Sequence, residues 1–184
     1  MRTTQNEVSA SLDTSVNLSL RRIYAYGLID LEASHNMQVQ LDAMTTGTRK
    51  PISIFLNSDG GLVYPGLAMY DALRYCTAPT VMTVTGAAMS MAVAVLQGAT
   101  QRLAFPTATF MVHDGTDSAS GHSRNVEAWG RESKRLRHLY YEILASRSKH
   151  PAKWWESKCT VDWVMTAEEA LQHGLIDKLV EVPT

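Results

Sequence analysis

Three side chains of this 184-residue chain are of the types that together cut an acyl bond: Ser90, His113 and Asp162. Ser90 lies in Thr85-Gly86-Ala87-Ala88-Met89-Ser90-Met91-Ala92, where a β-branched run breaks at a glycine and restarts as a small-residue helix. This pattern predicts a serine in the first turn of that helix. A hydroxyl held there has free backbone N–H groups and the positive end of the helix dipole beside it, so an oxyanion formed by its attack on a carbonyl finds donors in place. The strand-like run Thr107-Ala108-Thr109-Phe110-Met111-Val112-His113 ends in an imidazole, and Asp162 stands just before the helix start Met165-Thr166-Ala167-Glu168-Glu169-Ala170. Nucleophile, base and orienting carboxylate make a general-base triad, which is defined by geometry and not by sequence spacing.

Each residue also has a plainer reading. Serine is a favoured N-cap, so Ser90 alone could be only a cap. Asp162 could be a loop aspartate, and Gly60-Gly61 an ordinary tight turn. Among the six histidines, His35 and His138 fall in amphipathic helical stretches, His122 in a Gly/Ser-rich turn, His150 before Pro151 and His173 at a helix end before Gly174. Only His113 closes an apolar strand. Asp114, next in sequence to the imidazole, rivals Asp162 as third member. Asp162 is favoured, because side chains adjacent at a strand end point to opposite sides.

The elements that must position these residues alternate between strand and helix. Arg22 to Tyr26 reads as a strand, and Leu31 to Met44 as a helix with Ala33, Met37, Leu41 and Met44 on one stripe. Pro51 to Asn57 is a strand running into the glycine turn. Pro65 is placed at a first helical position, with the helix reaching about Cys76. Thr80 to Thr85 is the strand before Ser90, whose helix ends near Gly98. After the His113 strand come a loop from Asp114 to Ser123 and a long helix from about Arg124 to Lys149. Thr166 with Glu169 forms a capping box for a short helix that Gly174 closes, and Leu175 to Val180 is a last strand. Such units imply right-handed crossovers, an α/β class and a mostly parallel sheet. The turns at Gly61 and Ser90 then fall at strand C-terminal ends, where α/β folds build their sites.

On the long helix, Arg131, Lys134, Arg135 and Arg137 suggest a nucleic-acid or membrane surface. Val126, Trp129, Ser133, Leu136, Tyr140, Ile143 and Leu144 nevertheless recur at helical spacing, and Glu127, Glu132 and Glu142 dilute the charge, so an interface helix is the better reading. A net charge of −1 argues against a dedicated nucleic-acid binder. Two cysteines, Cys76 and Cys159, make neither a disulfide framework nor a metal-ligand spacing, which points to a reducing, cytoplasmic compartment and to chemistry without metal or cofactor. Cys76 reads as a small core residue on a helix. Met1 to Leu20 is polar without an apolar run, so no secretory signal is expected, and the apolar stretch from Val81 to Leu96 is too short and interrupted to span a bilayer. The expected organisation is an N-terminal segment over residues 1–20 and one domain over 21–184.

From about Arg22 to Val180 the sequence resembles the proteolytic subunit of the Clp protease, ClpP. The resemblance rests on Phe55-Leu56-Asn57-Ser58-Asp59-Gly60-Gly61, Ala68-Met69-Tyr70-Asp71, the Ser90 segment, Phe110-Met111-Val112-His113, and Ala167-Glu168-Glu169-Ala170 followed by His173-Gly174-Leu175-Ile176-Asp177. It implies the repeated β-β-α spiral of ClpP and the crotonases, with a handle helix over about 123–150 that interlocks two heptameric rings. It also implies a serine endopeptidase acting on peptides and unfolded polypeptides inside a barrel of fourteen subunits, fed by a hexameric Clp-type ATPase. Carried over by residue, Ser90 is the nucleophile, His113 the base and Asp162 its orienting group, with the N–H groups of Gly61 and Met91 as oxyanion hole. The family's docking loop is not recognisable in Met1 to Leu20. Two departures stand out: Asp59 where the family has proline before the glycine pair, and Asp114-Gly115 where it has glutamine and proline. They keep open a non-catalytic ring subunit, and the fold keeps open a crotonase-like acyl-coenzyme A enzyme.

Overall fold

The computed structural model describes residues 15–116, 118 and 120–181; the expected N-terminal segment falls largely outside them. Eight strands join in one sheet: β1 (Val16–Asn17), β2 (Arg22–Tyr26), β3 (Ile52–Ser58), β4 (Thr80–Met89), β5 (Gln101–Ala104), β6 (Thr109–Val112), β7 (Trp163–Thr166) and β8 (Lys178–Leu179). Their main order is β1-β2-β3-β4-β5-β8. All neighbours are parallel except β1 with β2 and β7 with β6. The helices are α1 (Leu31–Thr45), α2 (Val63–Arg74), α3 (Met91–Gln97), α4 (Ser123–Ala145), α5 (Ala152–Lys158) and α6 (Ala167–His173).

β4 is the element on which the site depends. Its first half, Val81 to Val84, lies between β3 and β5, and its second half, Ala87 to Met89, pairs with β6. The strand therefore does not break at Gly86, as the sequence pattern suggested. Between Leu56↔Val84 and Ser58↔Ala88 the register with β3 slips. The Asn57 amide fills the irregularity, its Oδ1 accepting from the Ala87 N–H at 2.9 Å. Glycine leaves room for this amide, since a Cβ on Gly86 would meet Asn57 Oδ1 at 2.5 Å and displace it. The paired backbone thus continues to Met89 and hands over directly to Ser90.

Every residue of α3 is buried, which explains its small and apolar composition: a helix with no solvent face carries no polar stripe. Its one amide, Gln97, donates to Val93 O and Leu175 O and accepts from the buried Arg102, which also pairs with Asp177. Phe110 on β6 is fully buried, contributing about 1.5–3 kcal/mol relative to an exposed ring, and it anchors the strand that carries His113.

Several boundaries differ from expectation. On α1 the buried stripe is Ser34, Met37, Leu41 and Met44, with Ser34 in place of Ala33; the Ser34 hydroxyl donates to Leu31 O. Pro65 is the third residue of α2 rather than the first, still within the turn where N–H groups have no intrahelical acceptor. Cys76 lies beyond the end of α2, half-buried against the core. α4 stops at Ala145 and not near Lys149. The strand β7 and the helix α5, neither expected, lie on either side of Asp162. The last strand is confined to Lys178–Leu179. The expected Thr166–Glu169 capping box and the left-handed Gly174 are both present.

Candidate active site

The register of two strand pairs builds the site. β6 and β7 run antiparallel with Val112 opposite Trp163; one step further, the same register sets His113 opposite Asp162. β4 and β6 run parallel with Met89 beside Met111, and the Ser90 N–H donates to Met111 O at 2.7 Å. Ser90, His113 and Asp162 accordingly meet although 72 residues separate the first from the last. His113 Nε2 is 2.8 Å from Ser90 Oγ, and its Nδ1 is 2.9 Å from Asp162 Oδ1. Asp162 Oδ1 accepts from the Nδ1–H, which leaves Nε2 as the acceptor for the serine hydroxyl.

Ser90 is the N-cap of α3 and lies just outside its first turn, with φ +52° and ψ −123°. A non-glycine residue in such a conformation is strained by about 1–3 kcal/mol and persists where the surroundings over-determine it. Here the Ser90 N–H is bonded to Met111 O, Ser90 O accepts from Val93 N–H at 3.0 Å, and Tyr140 Oη donates to the same carbonyl at 3.2 Å. The sharp turn presents the hydroxyl to His113 and no cap bond to the helix, so the plain N-cap reading of Ser90 does not describe it.

Gly61 and Met91 line the same cavity of about 220 Å³ as Ser90 and His113, with Leu136 and Tyr140 across it. Gly60 O accepts from Ile29 N–H at 2.9 Å, and Leu62 N–H donates to Ile29 O at 2.7 Å. By strand alternation the Gly61 N–H between them faces away from Ile29. A Cβ on Gly61 would lie 2.2 Å from Ile29 O, and one on Gly60 2.8 Å from Ser90 Cβ, so both positions require glycine. Met91 opens α3, where N–H groups lack intrahelical acceptors.

The long helix braces this centre from three points. Glu132 accepts from Tyr64 Oη at 2.9 Å and pairs with Arg135, which holds its carboxyl down at about 2. Tyr140 reaches Ser90, and Tyr141 donates to Asp114 Oδ1. Burial pushes the Tyr140 phenol well up, and burial with the Asp114 hydrogen bond does the same to Tyr141. Asp114 is therefore engaged by α4 and not by the imidazole. The sequence reading missed Asn57 and Tyr141; the Asp114 departure was the one visible sign of the latter.

The Clp protease family model matches residues 4–183. The chain belongs to the Clp protease family. It is 36% identical to an ATP-dependent Clp protease proteolytic subunit of Porphyromonas gingivalis over 178 residues, covering 94% of this chain and 79% of the relative. A proteolytic subunit of Bacteroides thetaiotaomicron is 33% identical over 177 residues, covering 92% and 79%. Among solved structures, a ClpP1 mutant from Listeria monocytogenes superposes with a TM-score of 0.84 at 21% identity, covering 95% of this chain and 96% of that one. The fold is thus that of ClpP, and the chain is a serine protease of the Clp protease family; the acyl-coenzyme A and non-catalytic readings are not favoured. No described helix is long and apolar enough to cross a membrane.

Proposed function

We propose that Ser90, His113 and Asp162 are the catalytic triad of a serine endopeptidase, with the N–H groups of Gly61 and Met91 as oxyanion hole. The observation that carries this is the continuous chain from Ser90 Oγ to His113 Nε2 at 2.8 Å and from Nδ1 to Asp162 at 2.9 Å, opening on a cavity lined by Gly61 and Met91. His113 takes the hydroxyl proton as Oγ attacks the peptide carbonyl. The carbonyl oxygen gathers charge against the two N–H groups, and His113 passes the proton to the leaving amine. Water then enters, is deprotonated by His113 and hydrolyses the acyl-enzyme.

The substrates are peptides and unfolded polypeptides, cut by one protease domain over residues 21–184 inside a barrel of two stacked heptameric rings. α4 is its handle: its first two turns are exposed, with Trp129 58% accessible, an apolar face suited to a copy of itself across a two-fold axis. A hexameric Clp-type ATPase feeds the barrel, as the names of the relatives suggest. A reducing, cytoplasmic setting fits its free thiols, Cys76 and the buried Cys159. The test is fluorophosphonate labelling with mass-spectrometric site mapping. Ser90 is the expected site, and Ser90→Ala lowers peptide hydrolysis by about 10⁴-fold or more; labelling that survives in Ser90→Ala refutes the triad.

A further inference from the structure

We propose that Asp114 and Tyr141 are a positioning pair that holds the His113 imidazole against Ser90 by tying the end of β6 to the long helix α4. The proposal rests on the triad reading above and extends it to two residues outside the triad.

The need for such a tie follows from the backbone. The last paired residue of β6 is Val112, so His113 stands one position beyond the ladder. Gly115 follows with φ +77°, and a Cβ built on it meets nothing within 4 Å, so packing at Gly115 does not hold this end of the strand. Asp114 is the residue between, and it is anchored twice. Its backbone N–H donates to Cys159 O at 2.8 Å, and its carboxylate accepts from Tyr141 Oη. Tyr141 is buried, 4% exposed, in a helix packed on the core. Its phenol stays protonated, because burial and the neighbouring Asp114 both raise its pKa, so it remains a donor throughout the working pH range.

The same two anchors reach the other triad members. Cys159 is fixed in the core, 1% exposed, with its thiol pushed up to about 12 by burial and by Asp114, and it lies three residues before Asp162. Tyr140, adjacent to Tyr141 on α4, bonds the Ser90 carbonyl. Consecutive tyrosines therefore grip the two sides of the Ser90–His113 gap, while Asp114 joins the base to the loop that carries Asp162. Where the family pattern has glutamine and proline after the base, this chain has a carboxylate and a glycine; the carboxylate supplies by hydrogen bonding the restraint that glycine gives up.

The test is a double-mutant cycle on the full-length assembled protein. Since a displacement of about 1 Å costs on the order of 10²-fold in rate, Tyr141→Phe and Asp114→Ala are each expected to lower kcat about 10-fold or more, with KM little changed. The fluorophosphonate labelling rate at Ser90 falls by the same factor. The double variant is no worse than either single one, because both remove one interaction. Asp114→Asn keeps an acceptor for the phenol and recovers most of the activity. If Tyr141→Phe does not assemble, Asp114→Ala against Asp114→Asn gives the answer alone. The proposal is overturned if the single variants keep the wild-type kcat, if their losses multiply, or if Asp114→Asn is as poor as Asp114→Ala. Wild-type protein that hydrolyses peptides without labelling at Ser90 removes the triad reading and this proposal with it; normal Ser90 labelling together with an unaffected Tyr141→Phe removes the proposal alone.

Discussion

Asp162→Asn should slow hydrolysis far less than the same change does where the triad aspartate is buried. In the proposed mechanism the mutation keeps the shape but removes the charge that faces the imidazolium formed as Ser90 attacks. Two unit charges about 4 Å apart attract by about 1 kcal/mol in bulk water and about 4 kcal/mol at an effective dielectric near 20. At about 1.36 kcal/mol per tenfold in rate, these limits correspond to about 5-fold and about 10³-fold. The Asp162 side chain is 72% exposed and His113 24%, so solvent screens the pair and the expected loss of kcat is about 10- to 100-fold, against about 10⁴-fold for a buried aspartate. The assay is kcat on a fluorogenic peptide at fixed salt, with assembly mass checked for each variant. The wild-type rate itself should fall little with salt, because the pair is in direct contact and closer than the Debye length of about 8 Å at physiological ionic strength. A loss below about 3-fold would show that Asp162 neither orients nor neutralises His113, and a loss of about 10⁴-fold would show that the carboxylate is not solvated as argued.

The remaining predictions concern the turn, the assembly and pH. Gly61→Ala forces a Cβ to within 2.2 Å of Ile29 O; it should reduce kcat by about 10²-fold or more, as loss of one oxyanion donor does, and an active Gly61→Ala enzyme would refute the assigned hole. Trp129→Asp should split the assembly into rings or smaller species by mass photometry, whereas a particle of unchanged mass would show that this face of α4 is not the junction. His150 Nε2 and His173 Nδ1 lie 3.0 Å apart beside Trp154. Burial holds both below the ordinary imidazole value of 6.5; Lys149 adds to this at His150, and His150, Lys158 and Lys149 add to it at His173 against the opposing Glu169. With the folded pKa depressed, the unfolded chain binds more protons, so this stabilisation is complete above about pH 6.5 and is lost as pH falls through the folded values. The melting temperature should therefore drop between about pH 7 and 5, and drop less in His173→Gln; equal slopes would refute the assignment.

What the sequence determined by itself is whatever a short stretch of chain settles locally. Arg22–Tyr26 has the bounds its pattern predicts, and the Thr166–Glu169 box with Gly174 delimits α6, because caps and left-handed glycines involve neighbours only a few residues away. The three residues proposed as the triad could be picked out too, since an imidazole closing an apolar strand has few plain explanations. Tertiary structure decided the rest. β4 passes through Gly86 because an asparagine from β3 bonds its backbone, a contact across 30 residues. His150 and His173 each looked ordinary until the fold brought them together beside Trp154. Asp162 faces His113 because β7, only four residues long and preceded by an unforeseen helix, pairs with β6 in one register. Asp114, the nearer carboxylate, is turned to Tyr141 instead. The register that sets His113 and Asp162, 49 residues apart, opposite each other has no local signature: it is set by which faces must be buried together, and that is known only when the whole core has formed.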